Sequence, residues 1–512
     1  MPETYDPAEP ARPTPAPPAD EHRGIPRARK VRLLVLVAVL AGLVAAAAAL
    51  TAYTTGKRRE RKERAADALR QVRQALGELD LPAAADALER AAQLAPESPE
   101  PPRLAVTVFY ASGALDQAFG QFNRLELGGV GEIHDAGAAY VRRCSLLWNV
   151  ARRLTRGGTD DRHRALLLCR WFALYVLPQQ RSDLPAEPYV VLWRGGGTPE
   201  EMAWAYAELA RQARLHCRVV IFPALPGEQP LVQVYPEGEE PFLVDPYRGI
   251  PVVDPPSKKL MSAADIASDF HRYRELRAMA GEPPASEGDN PGEPALKIAV
   301  HPQAFDPRFR AFEVLLADLP VYPLLSADPQ EAPPSAPEGL WTAPARIVRK
   351  PLTDQAADRS AQVLQLTGPG RNEYLLGRNN RADALYRQTI ADLEAKLAEA
   401  DVEESAQILG EALENVSFYA AANAHEAGDL DGATERIRDY LTRYPTGRWR
   451  TCAQVLLADA LERSGDGAGT APWDEVPRGR KLYAFLRAEG LLPPPGHSSP
   501  EAAEAASEAR YR

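Results

Sequence analysis

Hydrophobic positions fall along this chain in three patterns. Leu33 to Tyr53 is an unbroken apolar run of 21 residues without a charge, matching the ~20 residues that cross ~30 Å of hydrocarbon. It predicts a single transmembrane helix within residues 31–56. A cleaved secretory signal has a shorter core nearer the start, whereas 32 residues precede this run; "AAAAALTA" still imitates a cleavage site. The second pattern is helical spacing. From Lys57, "KRRERKERAADALRQVRQALGEL" opens a helical region, and Leu81, Ala84 and Leu88 recur 34 residues later as Leu115, Ala118 and Phe122. That period predicts stacked helix pairs over 57–128. The same texture returns over 341–487, where Gly377 with Ala382 and Gly428 with Ala433 repeat the spacing of Gly113 with Ala118.

The third pattern is short and strand-like. "CRVVIF", "LVQVYPEG" and "PFLVDPYRG" read as strands closed by Pro-Glu-Gly and Asp-Pro-Tyr-Arg-Gly turns. Before them lie a helix, "TDDRHRALLLCRWFALYVL", and the apolar run Tyr189–Trp193, read as a strand. Three glycines and a helix starting at Thr198 follow. These elements predict an α+β domain over 129–255. Residues 256–340 carry a helix, a short strand and helix segment, and the linkers Gly281–Pro294 and Ser326–Gly339. Residues 1–30, with eight prolines, and 488–512 read as disordered tails. The expected fold class is multidomain: one transmembrane helix, helical repeats and a central α+β domain.

Charge and candidate chemistry narrow this picture. A net charge of −10 argues against a general nucleic-acid binder. Cys144, Cys169, Cys217 and Cys452 form no CxxC pair, and the eight histidines form no HExxH, so neither a metal nor a disulfide framework is expected. "RGGGTPEE" lacks a Walker lysine and a GxGxxG pattern, and its two acids repel phosphate; no cofactor is expected. The basic run Lys57–Arg64 contains Glu60 and Glu63. It reads as a solvated juxtamembrane helix in reach of anionic headgroups rather than a nucleic-acid patch. Arg23, Arg27, Arg29, Lys30 and Arg32 flank the other side, so the positive-inside rule is nearly balanced. Exporting a basic tail without a signal is unfavourable, which places the tail in the cytoplasm and the bulk of the chain outside it.

The succession "GGTPEEMAWAYAEL", "QPLVQVYPEG" and "FLVDPYRG" resembles transglutaminase-like domains of the papain-type fold. The flanking helices resemble tetratricopeptide repeats of bacterial envelope proteins. The first resemblance implies a Cys-His-Asp triad at the positions of Pro199, Gln229 and Asp245, with Gln233 in place of a family glutamate. Only Asp245 keeps its family identity. The mechanism needs a thiolate activated by a helix N-terminus and an imidazolium. Proline has no nucleophilic atom, and glutamine exchanges no proton near neutral pH. Thr198, Pro199 and Glu201 instead spell a Thr-x-x-Glu capping box with proline in the first turn. A one-residue shift would offer Thr198 as nucleophile. His216 and Cys217 are a further pair, but neighbours on a strand point to opposite faces. Trp193, Trp204 and Tyr206 are aromatic candidates for a groove lining or for the core.

The resemblance thus implies a membrane-anchored pseudoenzyme that acts as scaffold or adaptor. Its repeats would bind protein or peptide, and its vacated groove would hold extended peptide without cleaving it. The alternative is an active cysteine hydrolase or acyltransferase with a displaced nucleophile such as Cys217. A third reading, a purely helical-repeat protein, predicts no antiparallel sheet between residues 215 and 255.

Overall fold

The computed structural model describes residues 27–465 apart from 126, 128–129, 180–186, 223–229, 280–293, 298, 300 and 328–353. Gln229, the C-terminal tail, residues 1–26 and most of both linkers lie outside the described residues. Among the described residues, sixteen α-helices and a small sheet region make the chain mostly helical. Contacts divide it into two compact units: Met1–Gln71 with Asp86–Pro101, and Val72–Ala85 with Pro102–Arg512.

The first unit holds the apolar run, inside helix α1 (Arg27–Gly77). A window of mean hydropathy 2.5 within it is entirely unburied. This one helix is long and apolar enough to cross a membrane; at 1.5 Å per residue, Leu33–Tyr53 covers about 30 Å. Ala65 and Ala68 are the first buried positions beyond the run. Part of α2 (Leu81–Leu94) completes the unit. There Arg61 Nη2 donates to Gln93 O at 2.9 Å, and Arg90 Nη2 to Gln71 Oε1 at 2.9 Å.

In the second unit the glycine–alanine spacing has a direct structural meaning. Gly113 follows α3 (Glu100–Ala111) and precedes α4 (Leu115–Asn123), with φ +81°. Gly377 and Gly428 end later helices at φ +75° and +83°. A left-handed residue just past a helix end satisfies its last carbonyls, and glycine adopts it without strain. Ala118, Ala382 and Ala433, five residues on, are each fully buried in the next helix.

The central region begins with α5 (Asp135–Thr155) and α6 (Asp161–Tyr175). The predicted strand at Tyr189–Trp193 is instead helix α7 (Pro188–Arg194). Pro188 sits in its first turn and Gly195 ends it in the left-handed conformation. Val190, Val191 and Leu192 are all buried, so the helix shows no polar face to distinguish it from a buried strand. After Gly195, a two-residue parallel pairing joins β1 (Leu177–Pro178) to β2 (Gly196–Gly197), and α8 (Pro199–Gln212) follows.

The sheet is antiparallel, in the order β6-β5-β4-β3-β7. Its strands are β3 (His216–Ile221), β4 (Leu231–Tyr235), β5 (Phe242–Asp245), β6 (Ile250–Pro251) and β7 (Ala295–Lys297). Val219 pairs with Val232 and Val232 with Val244, a buried valine row across three strands. This sheet excludes the purely helical reading. Between β6 and β7 lie α9 (Ala263–Ser268) and α10 (Phe270–Met279), and α11 (Pro307–Leu316) follows β7. The C-terminal helices are α12 (Asp354–Leu375), α13 (Asn379–Glu399), α14 (Glu403–Ala427), α15 (Leu430–Arg443) and α16 (Arg450–Ser464), each packed on the next. One hydrophobic core runs from the valine row through Trp204 and Leu192 to Tyr419 and Trp449.

Candidate functional site

The candidate site is the turn from Gly195 into α8. Leu177 N donates to Gly195 O at 2.7 Å and Gln179 N to Gly197 O at 2.8 Å, which pins the glycines against β1. A Cβ on Gly196 would meet the Gln179 side chain at 2.9 Å and Leu177 O at 3.0 Å, so a side chain there would displace Gln179 and crowd the β1 carbonyl. The capping box is formed as the sequence predicts. Glu201 N donates to Thr198 Oγ1 at 3.4 Å, and Thr198 N donates to Glu201 Oε2 at 2.9 Å. The same carboxylate oxygen accepts from Arg194 Nη2 at 2.6 Å, while Arg194 Nε donates to Gly196 O at 2.8 Å. Thr198, Glu201 and Arg194 are all buried. The positive end of α8, which would stabilise a thiolate in an enzyme, is occupied by a carboxylate of the helix itself.

Gly195 itself is covered by side chains from the C-terminal region. Trp449, Arg371 and Tyr419 stand over Gly195, at 2.9, 3.3 and 3.3 Å from where a Cβ would lie. Tyr419 Oη donates to Arg194 O at 2.6 Å, and Arg371 Nε donates to Leu192 O at 3.1 Å. These donors satisfy carbonyls in the last turn of α7, which have no partner inside the helix. The Arg371 guanidinium lies 4.7 Å from the ring centres of both Tyr374 and Tyr419. Trp449 stacks on Phe418 at 4.4 Å and donates from Nε1 to Asn415 Oδ1 at 2.7 Å. Trp193 packs against the backbone of α12 at Gly368, where a Cβ would approach it to 2.9 Å. Trp204 and Tyr206 are fully buried core residues. Trp449, Arg371 and Tyr419 thus fill the space over Gly195, while Pro199 and Glu200 at the helix start are half-buried.

The other predicted positions are also occupied structurally. Asp245, 2% exposed, accepts from Arg248 N at 3.1 Å on Oδ1 and pairs through Oδ2 with the Arg248 guanidinium. Gly249 closes this turn at φ +67°, where a Cβ would strike the backbone of Ala173 in α6 at 2.4 Å. Asp245 thus holds the Asp-Pro-Tyr-Arg-Gly turn against α6. Beside it a cavity of about 10 Å³, lined by Arg248, Tyr273 and Arg277 among others, has room for about one water. Gln233 Oε1 accepts from Ala263 N at 2.7 Å and ties β4 to the first turn of α9.

His216 is exposed and stacks on Tyr235 at 4.9 Å, while half-buried Cys217 directs Sγ towards Ala207 O at 3.6 Å. The strand does send them to opposite sides. Cys169 is buried in α6, and burial pushes the Cys144 thiol up to about 12. Among the described residues, no group of three or more His, Cys, Asp and Glu is placed to hold a metal ion.

Sequence reasoning passed over a second polar cluster. Tyr175 Oη and His425 Nδ1 are 2.7 Å apart, and His425 Nε2 lies 2.9 Å from Asp459 Oδ2. Arg170 Nη2 reaches the same carboxylate at 3.2 Å. His425 and Asp459 are completely buried between α6, α14 and α16. Burial holds the imidazole below its usual pKa, against the pull of Asp459. Nearby, Tyr374 and Arg153 both contact the Glu426 carboxylate. The available signal was an ionisable residue inside an alanine-rich helix, His425 in "AAANAHEAG" and Asp459 in "VLLADALE". Such a residue is retained in a core only with partners.

No family model, curated protein or solved structure matches the chain.

Proposed function

We propose that this protein is a membrane-anchored scaffold or adaptor. In this reading its central domain is a transglutaminase-like pseudoenzyme, kept for its shape. The observation that carries it is the start of α8. An inert Pro199 follows a Thr198 engaged as a cap, and Arg371 of α12, Tyr419 of α14 and Trp449 just before α16 stand over Gly195. Stacked helices at both ends supply surfaces of the kind that hold peptides and partner proteins. Leu33–Tyr53 supplies a single-pass anchor, with the bulk of the chain on the extracytoplasmic side.

The test is direct. Purified full-length protein in detergent is assayed for amine incorporation into glutamine peptides and for amide hydrolysis. In parallel, crosslinking in cells is followed by identification of captured proteins. The expected result is no turnover and a small, reproducible partner set. Turnover abolished by Cys217→Ser or by Cys144→Ser would support the displaced-nucleophile hydrolase instead.

A further inference from the structure

Of the eleven residues between the apolar run and the first buried position of α1, the last eight, Lys57 to Arg64, carry six basic side chains and two acids. All eight are exposed. Helical geometry sorts them. At 100° per residue, Lys57, Arg61, Arg58 and Lys62 share an arc of about 140° that contains neither acid. Glu60 and Glu63 lie on the other side, where Glu60 pairs with Arg64 at 2.6 Å and Glu63 with Arg59 at 3.0 Å. Lys57 Nζ sits 4.7 Å over the Tyr53 ring, at the boundary where aromatic and basic side chains anchor a span. Arg58 and Lys62 have no carboxylate partner among the described residues. Arg61 also reaches Gln93 O.

We propose that this arc binds the phosphate-bearing headgroups of anionic lipids in the leaflet where α1 emerges. Height along the helix agrees. Lys57 lies about 6 Å beyond Tyr53 and Lys62 about 13 Å. The headgroup layer is about 5–8 Å deep on each side, and screening at physiological salt sets in over about 8 Å. The first two cations thus sit within the layer, and the next two lie close enough to feel its charge. Here each acid already has a cation of its own, leaving an arc of unneutralised charge. The inference rests on reading Leu33–Tyr53 as a span.

The test uses the full chain in phosphatidylcholine nanodiscs containing a minority of phosphatidylglycerol. Spin-labelled versions of each lipid report its relative association with the protein. Wild type should prefer phosphatidylglycerol, with about fivefold contributed per charge at most. Lys57→Gln, Arg58→Gln and Lys62→Gln together should remove most of that preference. These side chains are exposed, and Arg61 keeps its bond to Gln93. Added sodium chloride should weaken the wild-type preference, and inorganic phosphate at matched ionic strength should do no more. Equal association of both lipids would overturn the proposal. So would a preference unchanged in the triple variant, or phosphate displacing lipid far beyond the chloride effect. Alkaline carbonate extraction of vesicles separates the two failures. Release of the chain would refute the span itself, and retention without lipid preference would refute only this inference.

Discussion

Thr198 could have served chemistry or architecture, and its neighbours decide. Its hydroxyl accepts from Glu201 N, its own N–H is taken by Glu201, and no described imidazole approaches it. A hydroxyl used this way is a cap, worth about 1 kcal/mol. Thr198→Ala should therefore lower unfolding stability by about 1 kcal/mol, read by denaturant titration, while Thr198→Ser should retain most of it. A nucleophile would behave differently, losing activity with little loss of stability. This capping box was fully legible in the sequence, because its residues lie within four positions of one another. The role of Asp245 was not. A catalytic orienter was the expectation, but its partner is Arg248, three residues on, and the reason for the tight turn is Ala173 in a distant helix.

At the scale of elements, the joint between α7 and the C-terminal helices carries the account. Trp449 fills the space above Gly195, stacks on Phe418 and satisfies Asn415. Removing a buried aromatic of this size costs about 3–5 kcal/mol. Trp449→Ala should show that loss as a lowered midpoint in thermal unfolding, together with faster proteolysis near Gly195. Two imidazoles, His425 buried and His301 half-buried, add a pH dependence. Burial lowers the folded pKa of both His425 and His301, the latter to about 4, with Arg143 and Arg211 adding to it. Below pH ~6.5 the unfolded chain takes up protons that the folded chain refuses. For His301 that contribution is thus complete above about 6.5 and is lost as pH falls towards about 4, and His425 acts in the same direction. Thermal midpoints should decline across that window. His301→Asn should flatten part of the decline, since asparagine can still accept from Gln303 N but does not titrate. None of this joint was visible in sequence. Arg194 meets Tyr419, and Arg170 meets Asp459, across more than two hundred residues. The seven residues of α7 were too few, and too uniformly buried, for periodicity to separate helix from strand.

For the whole molecule, the long patterns carried most information. An apolar run of bilayer length, glycine–alanine spacings and three β-branched runs each predicted a feature the fold contains. What they could not predict is that the chain folds back on its own glycine turn, placing Trp449, Arg371 and Tyr419 over Gly195. The most direct measurement is hydrogen exchange on the full-length protein at the amides of Thr198 and Met202, compared with Ala420 to Ala424 in α14. If the turn is a sealed joint, the two sets exchange together, with protection close to that of the core. Rapid exchange at Thr198 and Met202 while α14 stays protected would mean an open, accessible helix start and would contradict the account.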